Sequence, residues 1–218
     1  MIKFGSVIIL LFLLISCKRE IESIGVATEN EHANELKEES RNLTEKQKRI
    51  SDAALSLVDR TVVYDPTYFT IDYPNGDVPP GKGVCTDVVI RTYRKLGVDL
   101  QKEVHEDMKA NFSIYPNIWG FSKPDTNIDH RRVPNLMVYF SRFGTEKPMT
   151  KNAEDYLPGD IVCWRLANGM THIGMVVDKK SNDGKRYKIV HNIGGGQVLE
   201  DVLFDFEIIG HYGFENFE

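Results

Sequence analysis

The chain has 218 residues, a formal net charge of -5 and a hydrophobic fraction of 41%. This length and composition predict one well-packed domain, because two separate cores would be cramped. The mild acidity excludes the basic stripe that is typical of nucleic-acid-binding proteins, so we expect no nucleic-acid partner. A disulfide-stapled scaffold is also excluded, because the chain has only three cysteines: Cys17, Cys85 and Cys163. The sequence does not indicate an oligomeric state.

The N-terminal segment has the features of an export signal. Lys3 precedes an apolar run over residues 7–15, which is too short to cross a membrane, since a spanning helix needs about 20 residues. Ser16 and Cys17 follow this run and resemble a bacterial lipobox, which implies cleavage before Cys17 and lipidation of that cysteine. A secretory signal with a chance cysteine is the alternative.

This interpretation divides the chain into three regions. We expect residues 1–16 to be a lipoprotein signal peptide and residues 17–43, which are polar and rich in glutamate, to be a flexible tether. Residues 44–218 form the expected folded domain. The predicted location is the bacterial cell envelope, with the protein anchored to a membrane through lipid on Cys17 and facing the periplasm or the cell surface.

Helical patterns occupy the first part of the domain. Thr44 and Gln47 fit a capping box before the first helix. Gly97 has the position of a C-terminal glycine after the second helix, and Pro134 falls in the first turn of the last. The periodicity of apolar residues places the four helices at about residues 45–60, 85–96, 99–110 and 133–143.

Strand patterns dominate after residue 157. Short apolar runs alternate with turn signals such as Asn168-Gly169. Five strands are predicted, at residues 161–166, 171–178, 187–193, 198–204 and 207–214. Helices first and an antiparallel meander last indicate an α+β fold.

Cys85 follows a Gly/Pro-rich loop and directly precedes a helical pattern. A thiol at a helix N-terminus has its pKa lowered by the helix dipole, and the free N–H groups there can bind an oxyanion. The position therefore favours a nucleophile. A buried core thiol and a Cys85–Cys163 disulfide are the alternatives, and Cys163 itself lies in an apolar strand where core packing is the default.

Two histidines fall on neighbouring strands of the predicted meander. His172 opens the second strand and His191 lies on the third. Paired antiparallel strands bring facing residues to about 4.5–5.5 Å, so a hairpin of this length can place the two side by side. His172 would then take the proton from Cys85, and His191 would orient the imidazole. Asn192 is the alternative orienting residue, because a one-residue change of register exchanges the faces of a strand.

The pattern of these residues resembles the NlpC-type branch of the papain-like cysteine peptidases, which are bacterial cell-wall amidases and endopeptidases. Tyr73 lies before the cysteine as in that branch, and residues 158–160 match its PGD turn. Residues 172–176, H-I-G-M-V, match the strand of the catalytic base, and residues 190–192, V-H-N, match the segment of the third residue.

The resemblance implies a papain-like α+β fold and Cys-His-His catalysis. N-terminal helices would pack on a C-terminal antiparallel sheet of five to six strands, with a region at about residues 101–155 inserted between them. More closely, the segments GVCTD, VHEDM and NIDHRR resemble an uncharacterised bacterial family of that superfamily, a domain of unknown function. The implied catalytic residues are Cys85, His172 and His191.

The sequence departs from the NlpC pattern at the nucleophile. Those enzymes read Asp-Cys-Ser-Gly, whereas this chain has Val84-Cys85-Thr86-Asp87. The Asp87 carboxylate would oppose thiolate formation, although its place in the first turn suits the helix dipole. Arg131, in an inserted loop, has the geometry to grip the free carboxylates of stem peptides. The expected substrate-binding residues are Tyr73, Asp87, Asn192, His130 and Arg131.

The leading functional hypothesis is a cell-envelope cysteine peptidase or amidase that cleaves an amide bond, with peptidoglycan stem peptides as the expected substrate. No cofactor and no metal are expected. A catalytically inactive papain-like module that binds wall peptides or a partner protein is the second hypothesis. A metal-dependent hydrolase is the third, with His105, Asp107 and His130 as ligands and His211 as a further candidate.

Overall fold

The computed structural model describes residues 43–218, and residues 44–218 form one compact unit. The expected signal peptide, Cys17 and the tether up to residue 42 lie outside the described residues. Within residues 43–218, none of the helices is both long and apolar enough to cross a membrane.

The helices begin and end close to the places that the sequence predicts. Thr44 and Gln47 form the capping box, with the Thr44 hydroxyl accepting from the Gln47 N–H. Gly97 adopts a φ of 85° after the second helix, a conformation that glycine reaches without strain. The described residues form four α-helices: α1 Glu45–Leu55, α2 Cys85–Lys95, α3 Leu100–Asn111 and α4 Val133–Phe143. The first helix is therefore shorter than predicted.

The strands form two sheets. A two-stranded parallel ladder pairs β1 with β2 immediately before Cys85. The larger sheet is antiparallel and has the order β3-β8-β4-β5-β6-β7. The bounds are β1 Val63–Tyr64, β2 Lys82–Gly83, β3 Thr145–Glu146, β4 Ile161–Arg165, β5 Thr171–Lys180, β6 Tyr187–His191, β7 Val198–Glu200 and β8 Glu207–Gly213.

The sheet is not the simple meander that we expected. Only β4 to β7 follow one another as neighbours, and β8 returns across the sheet to pair with β4 and β3. The chain between β7 and β8 packs under the sheet, where Leu203 is fully buried and its carbonyl accepts a hydrogen bond from the Trp164 indole at 3.0 Å. By pairing with β4, strand β8 covers the edge that β4 would otherwise expose.

Two apolar layers enclose the sheet. The larger layer lies between the sheet and the helices and contains Cys85, Ile173 and Met175. The smaller layer lies on the opposite face and contains Trp164 and Val176. Successive strand residues alternate between these two layers, as a pleated sheet requires. The sheet and its packed helices thus confirm an α+β fold.

Candidate functional site

The loop before Cys85 is held against helix α2 by ion pairs. The Asp77 carboxylate accepts hydrogen bonds from the Arg91 guanidinium, with both distances at 2.9 Å. Arg94 donates to the same carboxylate at 3.0 Å and to the Gly76 carbonyl at 2.8 Å. Because Arg91 and Arg94 lie on the helix that Cys85 begins, they fix the loop relative to the thiol.

Cys85 is the first residue of helix α2, as the sequence predicts. Val84 at the N-cap has no side-chain hydroxyl or carboxyl with which to cap the helix. The reciprocal contact is present instead, since Oδ2 of Asp87 accepts from the Val84 N–H at 2.7 Å. Gly83, one residue earlier, pairs with Tyr64 in the parallel ladder. These contacts define how the chain enters the helix.

The Cys85 thiol is buried and protonated at neutral pH. Burial raises its pKa to about 12, and the charge of Asp87 adds to that rise. The backbone N–H groups of Ile173, Thr86 and Cys85 itself hydrogen-bond to the sulfur and act in the opposite sense. These N–H groups cluster around the sulfur at a helix N-terminus, where an anion is favoured. Burial nevertheless outweighs them in the resting protein.

His172 and His191 are hydrogen-bonded to each other, with 2.9 Å between Nε2 of His172 and Nδ1 of His191. The expectation that the hairpin brings these two histidines together is confirmed. Burial, and next the neighbouring His191, lower the pKa of His172 to about 3. Burial also lowers the pKa of His191, although the Glu200 carboxylate partly offsets this. Both imidazoles are therefore neutral at pH 7.

Glu200 extends this pair into a chain of three side chains. Its Oε2 lies 3.1 Å from Nε2 of His191. Glu200 lies on β7 opposite Ile189, and Ile189 shares a strand face with His191 two residues further on. Glu200 is not among the site residues that the sequence predicts. Predicting its contact with His191 would have required the pairing register of β6 and β7, which the predicted strand limits did not define.

Gly174 lies two residues after His172, where the two strands β5 and β6 come close together. A Cβ on Gly174 would lie 2.6 Å from Cγ2 of Ile189 and 3.1 Å from Cβ of His191. Any side chain at this position would push β6 away from β5. The H-I-G pattern thus has a steric cause, since glycine permits the close approach that places His191 beside His172.

Asp87 and Arg131 form a buried ion pair. The guanidinium donates to the two carboxylate oxygens at 2.9 and 3.1 Å, and the side chains are 3% and 2% exposed, respectively. The Arg131 carbonyl also accepts from the Thr86 hydroxyl at 3.2 Å. The segment that carries Arg131 is thereby joined to the first turn of α2. The polar atoms of Asp87 and Arg131 are hydrogen-bonded to each other. Direct binding of substrate by either side chain stays a prediction.

His130 and Asn192 are also buried near the site. Burial, followed by the charges of Arg131 and Arg94, lowers the pKa of His130 to about 3. The Asn192 amide donates to the Gly83 carbonyl at 3.4 Å, so it links the end of β6 to the loop before Cys85. This contact suits a positioning role for Asn192. Substrate contact by His130 or Asn192 stays a prediction.

Tyr64, and not Tyr73, interacts electrostatically with Cys85. Burial raises the pKa of Tyr64 most, and Cys85 and Asp87 raise it further. Tyr73 instead packs edge-on against His105, with 5.2 Å between the ring centroids. The position of Tyr73 twelve residues before Cys85 in sequence does not bring its ring to the thiol. The parallel ladder, which sequence analysis did not predict, brings Tyr64 back to the helix entrance.

The three residues of the proposed metal site have separate partners. Asp107 binds the Arg142 guanidinium at 2.8 and 2.9 Å, whereas His105 packs on Tyr73. His130 is buried beside Arg131. Across residues 43–218, no group of three or more histidine, cysteine, aspartate or glutamate side chains is placed to hold a metal ion.

These observations define an α+β protein in which a cysteine at a helix N-terminus lies next to strand β5, whose His172 is hydrogen-bonded to His191 of β6. The family described as Domain of unknown function (DUF1287) matches residues 51–214, and the chain belongs to this family. It is 53% identical over 163 residues to "Uncharacterized protein YijF" of Escherichia coli (strain K12), a match that covers 75% of this chain and 79% of that protein. The expectation of an uncharacterised bacterial family is thus confirmed.

Proposed function

We propose that the protein is a cysteine hydrolase of the cell envelope, a peptidase or amidase with a papain-like, NlpC-type active site. The observation that carries this proposal is the hydrogen bond between His172 and His191. His172 lies on β5 directly before Ile173, whose backbone N–H contacts the Cys85 sulfur. The order of cysteine, histidine and a second polar residue fits nucleophilic catalysis. Stem peptides of peptidoglycan are the proposed substrate, an inference that rests on the NlpC resemblance and the expected compartment.

In the proposed reaction, the Cys85 sulfur attacks the amide carbonyl while His172 removes the thiol proton. The neutral thiol and neutral imidazole require this proton transfer to accompany the attack, since neither group is charged at rest. The Cys85 N–H at the start of α2 is a donor for the oxyanion. His172 then gives the proton to the leaving amine, which breaks the C–N bond and leaves a thioester. Water hydrolyses the thioester and restores the thiol.

Digestion of purified muropeptides tests this proposal. The wild type should release a new amine and a new carboxylate, and Cys85→Ala should release neither. Cys163→Ala is the matched control, because it removes the other buried thiol of residues 43–218 and leaves the nucleophile in place. Equal products from the wild type and Cys85→Ala, or no product from a folded wild type, would refute the peptidase proposal.

A catalytically inactive binding module is the second candidate. Two observations favour it: the pKa of Cys85 is raised to about 12, and the His172 ring lies against Trp164, on the opposite sheet face from Ile173. If this candidate holds, Cys85→Ala should bind muropeptides as tightly as the wild type, and alkylation of the wild-type thiol should leave the His172 NMR signals unchanged. A large shift of those signals would instead support the hydrolase.

The envelope location is part of the same proposal. It rests on the lipobox-like residues that end at Cys17, which lie outside the described residues. Membrane fractionation of cells expressing the wild type and Cys17→Ala tests it. The wild type should sediment with membranes, and the variant should appear in the soluble fraction.

A further inference from the structure

We propose that Glu200 is a positioning residue that sets the protons of both histidines so that Nδ1 of His172 is the basic nitrogen. This inference deepens the proposed function and rests on it for its catalytic meaning. The contact that motivates it is the 3.1 Å approach of the Glu200 carboxylate to Nε2 of His191. Glu200 is on the edge strand β7, and its side chain is 43% exposed.

The proton positions follow from which groups can donate. A carboxylate only accepts hydrogen bonds, so Nε2 of His191 must carry the hydrogen that faces Glu200. A neutral imidazole has one N–H, and Nδ1 of His191 is then an acceptor. The atom 2.9 Å away, Nε2 of His172, must therefore donate. The lone pair of His172 is left on Nδ1.

This order of protons prepares His172 to act as a base. During attack, the thiol proton moves to Nδ1 of His172, which becomes an imidazolium with hydrogens on both nitrogens. The Nε2–H of His172 continues to donate to His191, and no proton has to reach Glu200. The negative charge of Glu200, on the far side of the buried His191, stabilises the imidazolium. Glu200 thus acts through His191 and does not touch the substrate.

A hydrogen-bond donor in place of Glu200 should reverse the direction of the hydrogen bonds that link residue 200, His191 and His172. In Glu200→Lys, an ammonium group offers hydrogens to Nε2 of His191 and cannot accept one. His191 would then carry its hydrogen on Nδ1 and donate to Nε2 of His172, which moves the His172 hydrogen to Nδ1 and removes the base. In Glu200→Gln, the amide oxygen can still accept, so the original proton order is kept while the charge is lost.

The test is ¹⁵N NMR of the imidazoles at neutral pH in protein labelled at histidine, with His172→Gln and His191→Gln used to identify the signals. The wild type should have hydrogens on Nε2 of both rings. Glu200→Gln should keep that pattern and Glu200→Lys should invert it, with a fall in kcat/KM of roughly 10²-fold or more, as expected for loss of a general base. Glu154→Lys, an exposed change of the same charge, should alter neither reading.

The proton pattern is measured without a substrate, so it separates the two proposals. A wild type with the hydrogen on Nδ1 of His172, or an unchanged pattern in Glu200→Lys, would overturn the role of Glu200. If Glu200→Lys fails to fold, the wild type still tests the proposal, because a hydrogen on Nδ1 of His172 would overturn it. The predicted pattern in a wild type that hydrolyses nothing would refute the hydrolase and leave the hydrogen-bond chain standing.

Discussion

The Asp87 carboxylate and the Arg131 guanidinium meet in a two-bond ion pair, at 2.9 and 3.1 Å, on the first turn of the helix that Cys85 begins. The pair joins the segment that carries Arg131 to the helix turn that contains Cys85. Removing one partner of a buried pair leaves an uncompensated charge, which costs about 3–5 kcal/mol. We therefore expect Arg131→Met to lower the free energy of unfolding by about that amount, measured by urea denaturation at neutral pH.

The control for this prediction is the exposed pair formed by Arg165 and Glu207, whose side chains are 54% and 67% exposed. Arg165→Met should cost no more than about 1 kcal/mol, because solvent screens such pairs. The double variant Asp87→Asn, Arg131→Met should be more stable than Arg131→Met alone, since it removes the orphaned charge. Equal losses in the buried and exposed single variants would contradict the importance of the Asp87–Arg131 pair.

The thiol of Cys85 should react slowly at neutral pH and faster as the pH rises. Its pKa is raised to about 12 by burial, and only the thiolate is nucleophilic toward an alkylating reagent. The rate of alkylation by iodoacetamide should therefore climb about tenfold per unit between pH 7 and pH 10. Cys85→Ser, which retains the buried Cys163, gives the background. A rate that is already constant above pH 6 would indicate a thiolate paired with an imidazolium.

Gly174→Ala should displace His191 by forcing β6 away from β5. The new methyl would lie 2.6 Å from Cγ2 of Ile189, so β6 must move and His191 must leave its place beside His172. We expect a loss of about 1–3 kcal/mol in unfolding free energy, typical of overpacking, together with a changed proton pattern of the two histidines. Gly195→Ala is the matched control, because a Cβ there meets no atom within 4 Å.

The domain should lose stability in mild acid. His130 and His172 have pKa values lowered to about 3 in the folded state, against about 6.5 in an unfolded chain. Between these values the unfolded chain binds protons that the folded protein does not, so the contribution is present above about pH 6.5 and is lost as the pH falls toward 3. Unfolding by urea should need less denaturant at pH 4.5 than at pH 7.

Asp129 changes the free energy of unfolding in the opposite direction over part of the pH range between 3 and 6.5. Burial raises its pKa from 3.8 to about 6, so its contribution is present below pH 3.8 and is lost as the pH rises through 6. Two histidines with larger shifts outweigh this one carboxyl. His130→Asn should reduce the difference between the urea midpoints at pH 4.5 and pH 7. Equal stability of the wild type at the two pH values would contradict the neutral, buried state of these histidines.

The elements that the sequence predicts well are those with a local cause. Thr44 caps a helix through a residue three positions away, Gly97 ends one through its own backbone, and Pro134 suits only a first turn. The alternation of apolar residues along a strand and the glycine two residues after His172 are also patterns that span only a few residues. The helices and most of the strands, and the meeting of His172 with His191, could therefore be predicted.

The features that sequence analysis missed depend on tertiary contacts. Arg131 reaches Asp87 across 44 residues, and neither side chain indicates the other by spacing. Tyr64 reaches the helix entrance through a ladder of only two residue pairs, too short for a strand pattern. Predicting the role of Glu200 would have required the register of β7 on β6. Predicting the position of β8 would have required knowing which edge of the sheet it covers.

The hydrogen bond from Asn192 to Gly83 joins chain positions 109 residues apart. It ties the end of the strand that carries His191 to the loop before Cys85, so the distance between Cys85 and the histidine pair depends on the complete tertiary structure and not on either segment alone. A fragment ending before β6 would keep the cysteine and its helix sequence but would have no partner for them. Any hydrolysis by this protein should consequently appear only when the last strands have docked, which makes activity a direct measure of complete folding.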